Sequence, residues 1–173
     1  MRKTTGRGLL GKAKKIRLLL LDVDGVLTDG SIILDGQGNE TKAFHVRDGR
    51  GIKLAQKAGI PVGIITGRSS EVVNIRTREL GITDVFQGAQ DKILVYEEVV
   101  ARHGLDDGEV AYIGDDDVDV QIFKRVGLAA TVADGDPCVL PYVDFVTKQG
   151  GGRGAVREVI NLILKSKGML PSP

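Results

Sequence analysis

Cysteine is nearly absent from the chain: Cys138 stands alone, so no internal disulfide can form and nothing in the sequence demands an oxidising compartment. Long apolar runs are missing too. The run Leu18 to Leu21 breaks at Asp22 and Asp24, and the N-terminus lacks a signal-peptide apolar region, so a cytoplasmic protein that neither spans nor enters a membrane is expected. There is no internal repeat and no low-complexity segment. Net charge is close to zero at +1, and although a basic N-terminal arm could touch nucleic acid or anionic lipid, neither is expected as a partner. The balance is uneven, however. Six Lys or Arg and no acid fall in the first fifteen residues, leaving −5 for the rest. Gly6, Gly8 and Gly11 interrupt that basic stretch, at about 1 kcal/mol each in a helix interior, so a solvated, disordered arm is expected there. With 173 residues and 42% hydrophobic content, the remainder can bury the core of one domain without staples.

What is present alternates. Apolar runs at Arg17 to Leu21, Val62 to Thr66, Val110 to Ile113, Leu128 to Val132 and Asp144 to Val146 read as strands buried on both faces. Helical patterns lie between them at Gly51 to Lys57, Ser69 to Leu80, Lys92 to His103, Val118 to Arg125 and Ala155 to Lys167. Gly59, Gly81, Gly104, Gly127 and Gly168 stand where left-handed C-terminal caps are wanted. The expected fold class is α/β, a Rossmann-like three-layer arrangement with helices on both faces of a parallel sheet. One segment departs from it. Ser31 to Leu34 and Lys42 to Val46 read as a β-hairpin inserted after the first strand, which must rest on the body or pair with another subunit.

Two acidic groups end two of the strands: Asp22-Val23-Asp24-Gly25 after Leu18 to Leu21, and Asp115-Asp116-Asp117-Val118-Asp119 after Val110 to Ile113 and Gly114. An isolated Asp-x-Asp is usually a turn or cap, but two such groups at carboxyl ends of sheet strands, where α/β folds bind ligands, form a candidate site. Converging carboxylates recruit a cation, and all-oxygen ligation suits Mg²⁺. Thr66-Gly67-Arg68 after a third strand, and Lys92 opening a helix behind Asp91, offer donors to phosphoryl oxygens. A lysine in a first helical turn is disfavoured by the dipole, which points to an anionic neighbour.

In this order the motifs resemble those of the haloacid dehalogenase phosphatases over most of the folded chain. The resemblance implies that Asp22 is the nucleophile and Asp24 the general acid and base. Thr66 and Lys92 would hold phosphoryl oxygens, and Asp22, Asp115 and the Asp24 backbone carbonyl would bind Mg²⁺. Asp119 would orient Lys92 or a metal-bound water, and spacing does not divide the duties of Asp116, Asp117 and Asp119. The intervals Asp29 to Ile65 and Gly67 to Asp91 leave no room for a cap domain.

At finer grain, Lys42 to Gly51, Gly88 to Lys92 and Gly151 to Val159 resemble the 3-deoxy-D-manno-octulosonate 8-phosphate phosphatases of that superfamily. This implies a homotetramer with hairpins in a central barrel, and a small phosphorylated sugar acid of lipopolysaccharide synthesis as substrate. Substrate contacts would come from His45, Val46, Arg47, Asp48, Gly49, Lys53, Gly67, Arg68, Arg76 and Lys92. Position 53 is lysine where arginine is expected in many relatives, and that exchange forfeits bidentate carboxylate binding. Arg153, in the Gly150 to Gly154 segment, would reach a neighbouring site unless that segment is a plain linker. A nine-carbon sugar-acid 9-phosphate is the alternative substrate, and a non-hydrolytic phosphoacceptor domain the alternative of another class. Asp24 discriminates against the latter, which needs no acid beside its nucleophile. The expected organisation is arm 1–15, phosphatase domain 16–168 and tail 169–173.

Overall fold

A computed structural model describes residues 6–170. Its centre is β1 (Leu18–Leu21), with four leucines and no solvent exposure. Alternation sends Leu19 and Leu21 into one hydrophobic layer and Leu18 and Leu20 into the other. Each fully buried leucine contributes on the order of 1.5–3 kcal/mol, so the strand is anchored from both faces. It pairs in parallel with β4 (Val62–Ile65) and β6 (Val110–Gly114). Outside these lie β5 (Asp84–Phe86), β7 (Leu128–Thr131) and β8 (Phe145–Val146), giving a parallel six-stranded order β5-β4-β1-β6-β7-β8. Helices cover both faces: α2 (Val46–Lys57), α3 (Glu71–Leu80), α4 (Lys92–His103), α5 (Val120–Arg125) and α6 (Ala155–Ser166). The Rossmann-like α/β architecture without a cap is therefore as expected.

Four differences have physical causes. The edge strand β5 escapes sequence reading because it has three residues and opens on Asp84, whose carboxylate meets Arg102 and His103. The basic segment is not disordered over its described part: α1 (Gly6–Lys15) packs on α6, with Ala13 and Ile16 fully buried. Lys12 adds a 2.6 Å pair with buried Asp144, and Lys167 donates to the Lys14 carbonyl at 2.7 Å. Tertiary contact thus outweighs the three glycines. Residues 1–5 of the expected arm and 171–173 of the tail lie outside the described residues. The hairpin is shorter than its sequence pattern, with β2 (Ile33–Leu34) antiparallel to β3 (Glu40–Thr41). Finally, α2 starts five residues early, because His45 caps it by accepting from the Arg47 N–H through Nδ1 at 3.2 Å.

Gly59, Gly81, Gly104 and Gly168 adopt positive φ as expected of caps, whereas Gly127 does not. Gly127 is instead pressed against the Gly108 carbonyl, to which a Cβ would be too close.

Candidate active site

Because β1 and β6 are neighbours, Leu21 lies opposite Ile113 and the Asp22 N–H donates to the Ile113 carbonyl at 2.9 Å. The two acidic groups therefore meet at adjacent carboxyl ends. Asp22, Asp115 and Asp119 bring carboxylate oxygens within 4.8 Å of one another. Lys92, the first residue of α4, reaches between them: its Nζ donates to Asp22 Oδ2 at 2.5 Å and to Asp119 Oδ1 at 2.7 Å. Asp91 caps that helix by accepting from the Ile93 N–H at 3.2 Å.

Asp119 organises this cluster. Fully buried, it accepts from Lys92 and, at 2.6 Å, from the Tyr112 hydroxyl through Oδ1. Its Oδ2 accepts from the Asp115 and Asp116 N–H groups at 2.9 and 3.3 Å. Four donors leave it little capacity for a further ligand. Asp116 accepts from the Asp117 N–H, and both are exposed, so the three acids separate cleanly: Asp119 works inside, while Asp116 and Asp117 form a solvated turn.

Three carboxylates face one ammonium, and the electrostatics record the excess. Burial raises the Asp22 carboxyl above the ordinary range, Lys92 opposes this, and Asp119 adds to it. Burial, with Asp22 and Asp119, pushes Asp115 up to about 7. For Lys92, burial disfavours the ammonium, but Asp22 and Asp119 outweigh it and its pKa rises. Among the described residues no donor reaches the Asp115 carboxylate, and no backbone N–H donates to the Asp24 carbonyl. Oxygen donors with surplus negative charge fit a hard divalent cation. Gly25, at φ 86°, is required here, because a Cβ would collide with the Asp115 carboxylate.

Asp24 takes a different direction. Its carboxylate binds Lys42 through Oδ1 and lies 3.5 Å from Arg68 Nε through Oδ2, so it stays out of the Asp22 cluster. Thr66 is buried at the carboxyl end of β4, fixed by bonds of 3.0 Å from its N–H to Phe86 and from the Ala89 N–H to its carbonyl. Gly67 and Lys92 line a cavity of about 360 Å³ with Ala89, Gln90, Asp91 and Val118.

The remaining expected contacts divide. Arg47 and Val46 are exposed, and Val46 and Arg76 line a second cavity with Phe44 and Ile75. Gly49 leaves room for the Arg76 guanidinium, which stacks 5.7 Å from the Phe44 ring. Asp48 is not presented to a ligand: it is buried and accepts from the Gly154 and Arg157 N–H groups at 3.1 and 2.7 Å, holding the start of α6. Lys53 is also misplaced, lying beside Gly81, Pro61 and Val62 at the amino end of β4, opposite the site. His45 is a helix cap rather than a sheet residue. The Gly150 to Gly154 segment is no loose linker. The Gly152 N–H donates to the Val26 carbonyl at 3.0 Å, and Gly151 packs so closely on Gly25 that a Cβ there could not fit. Arg153 is exposed, 3.6 Å from Asp29 of its own chain.

Sequence reading missed Tyr112 and Lys42. A tyrosine inside a fully buried strand needs a hydroxyl partner, and that was the available signal for Tyr112. Lys42 resembled any hairpin charge.

A haloacid dehalogenase-like hydrolase family model matches residues 69–160. The chain is 46% identical over 162 residues to the 3-deoxy-D-manno-octulosonate 8-phosphate phosphatase of Escherichia coli K12, covering 94% of this chain and 86% of that one. The crystal structure of the Yersinia pestis phosphatase of the same name superposes with a TM-score of 0.92 at 47% identity, covering 94% of this chain and 88% of the other. The Moraxella catarrhalis phosphatase, solved with magnesium, phosphate and 3-deoxy-D-manno-octulosonate (KDO), gives 0.93 at 41% identity, covering 95% and 94%.

Proposed function

The chain belongs to the haloacid dehalogenase-like hydrolase family, and from that premise we propose that it releases phosphate from 3-deoxy-D-manno-octulosonate 8-phosphate through a phosphorylated Asp22. The observation that carries this reading is the meeting of Asp22, Lys92, Asp115 and Asp119 at adjacent strand ends.

Asp22 is the nucleophile. Lys92 holds its Oδ2 and the Val23 N–H holds its Oδ1 at 2.6 Å, so the carboxylate meets the phosphoryl group in a fixed rotamer. Asp22, Asp115 and the Asp24 carbonyl would hold Mg²⁺, whose positive charge would offset repulsion between the nucleophile and a phosphate dianion. Lys92 and Thr66 bind phosphoryl oxygens, and Gly67 leaves the approach to Lys92 open. In the first half-reaction an Asp22 oxygen bonds to phosphorus, the ester P–O bond breaks, and Asp24 gives its proton to the departing sugar oxygen. In the second, Asp24 takes a proton from water, the water oxygen bonds to phosphorus, and the Asp22–phosphorus bond breaks. Asp119 keeps Lys92 in place and never meets the substrate.

The sugar acid also carries a carboxylate, and Arg68, Arg76 and Arg47 are the cations near the hairpin side that suit it. The exposed Ile32, Ile33 and Leu34 of the hairpin support a homotetramer in which hairpins pack together. No described helix is long and apolar enough to cross a membrane, which is compatible with work in the cytoplasm. A Mg²⁺-dependent phosphate-release screen over sugar-acid phosphates tests the substrate. The 8-phosphate is expected to give the highest kcat/KM, and preference for a nine-carbon 9-phosphate would replace it.

A further inference from the structure

The side chain of Lys42 is 1% exposed, although it follows directly on a solvent-facing hairpin strand. Lysine is almost never buried without partners, and this one has two carboxylates: Asp24 Oδ1, and Glu40 Oε1 at 3.3 Å. Arg68 makes the matching pair of contacts, with Nε 3.5 Å from Asp24 Oδ2 and Nη2 2.8 Å from Glu40 Oε1. The other Glu40 oxygen accepts from the Ser70 hydroxyl. Two acids and two bases thus alternate around a closed ring in which Lys42 holds Asp24 Oδ1, while Oδ2, 3.5 Å from Arg68 and without a hydrogen bond to it, is left to carry the proton.

We propose that Lys42 is a positioning residue for Asp24, aiming its carboxyl at the leaving oxygen, with Glu40 fixing Lys42 in turn. This rests on the reading of Asp24 as the general acid. Asp24 lies on the loop between β1 and β2, where no helix or strand fixes its side chain. A proton donor must stand about 2.6–3.2 Å from its target, and a misplacement of about 1 Å can cost ~10²-fold in rate. Of the two cations on Asp24, Arg68 is 46% exposed and retains freedom to swing. Lys42 is enclosed and supplies the fixed point. Glu40 lies in β3, so the hairpin that breaks the α/β alternation is also joined to the chemistry.

The test separates positioning of an acid from general damage. Lys42→Met, Lys42→Arg and Asp24→Asn are assayed with Mg²⁺ in single turnover for release of the leaving group, which isolates the first half-reaction. One substrate is the sugar-acid 8-phosphate, whose alkoxide must be protonated; the other is p-nitrophenyl phosphate, whose phenolate leaves unaided. Lys42→Met is expected to slow sugar release about 30- to 100-fold and p-nitrophenol release less than about threefold, with Lys42→Arg recovering most of the loss. Equal losses on both substrates overturn the proposal. If Asp24→Asn shows the split and Lys42→Met does not, only the role of Lys42 fails; if Asp24→Asn shows no split, the reading of Asp24 fails with it. Should Lys42→Met not fold, Glu40→Gln reads the same split, and a uniform loss there is equally decisive.

Discussion

Asp115→Asn should make the metal-free protein more stable at neutral pH. In the folded chain burial and the facing carboxylates of Asp22 and Asp119 raise Asp115 from 3.8 to about 7. The unfolded chain therefore ionises this group first, and folding retains a proton that the unfolded state has already lost. The sign follows: its contribution to stability is full below about pH 4, falls as pH rises toward 7, and is lost above that. The whole rise corresponds to about 4 kcal/mol, and partial solvent contact reduces the expected effect to roughly 2 kcal/mol. For a chain of this size that is about 4–8 °C in Tm. Thermal melts with chelator across pH 4–8 should show the variant gaining on the native chain up to pH 7 and holding its advantage beyond. A residual slope will remain from Asp22, which is raised as well. Added Mg²⁺ should stabilise the native chain and much less the variant. A variant no more stable than the native chain at pH 8 would refute the idea that unbalanced carboxylates define this site.

Other outcomes follow from single contacts. Asp22→Asn should cut turnover at least about 10³-fold while the fold persists by circular dichroism, and chelation should stop the native enzyme until metal is restored. Asp48→Ala should cost about 2–3 kcal/mol in urea unfolding, because two N–H groups at the start of α6 lose their acceptor, with KM little changed where the variant is folded. Lys53→Ala should leave kcat/KM within about twofold, since Lys53 sits at the opposite end of the sheet; a large rise in KM would return it to the substrate contacts.

Where strand period, acidic terminus and helix start agree, the sequence alone placed the elements that bring the acidic groups and Lys92 together. Leu18 to Leu21 followed by Asp22, and Lys92 at a helix start behind Asp91, stand as read. What escaped depends on distant partners. Asp48 looks like a loop acid until α6, 106 residues on, supplies its donor. Lys42 gains meaning only when the hairpin folds back over the loop after β1. The helix α1 was obscured for the converse reason: local glycine content argued against it, and burial of Ala13 and Ile16 overrode that.

In the proposed reaction the phosphoryl group passes through Asp22. Rapid quenching of the native enzyme with Mg²⁺ and substrate labelled in the phosphate, followed by peptide mapping, measures that passage directly. A transient label on Asp22 that forms and decays within each of many turnovers, and is absent from Asp22→Asn, is expected. Phosphate released at full rate with no label on Asp22, or a label that persists without turnover, would contradict it.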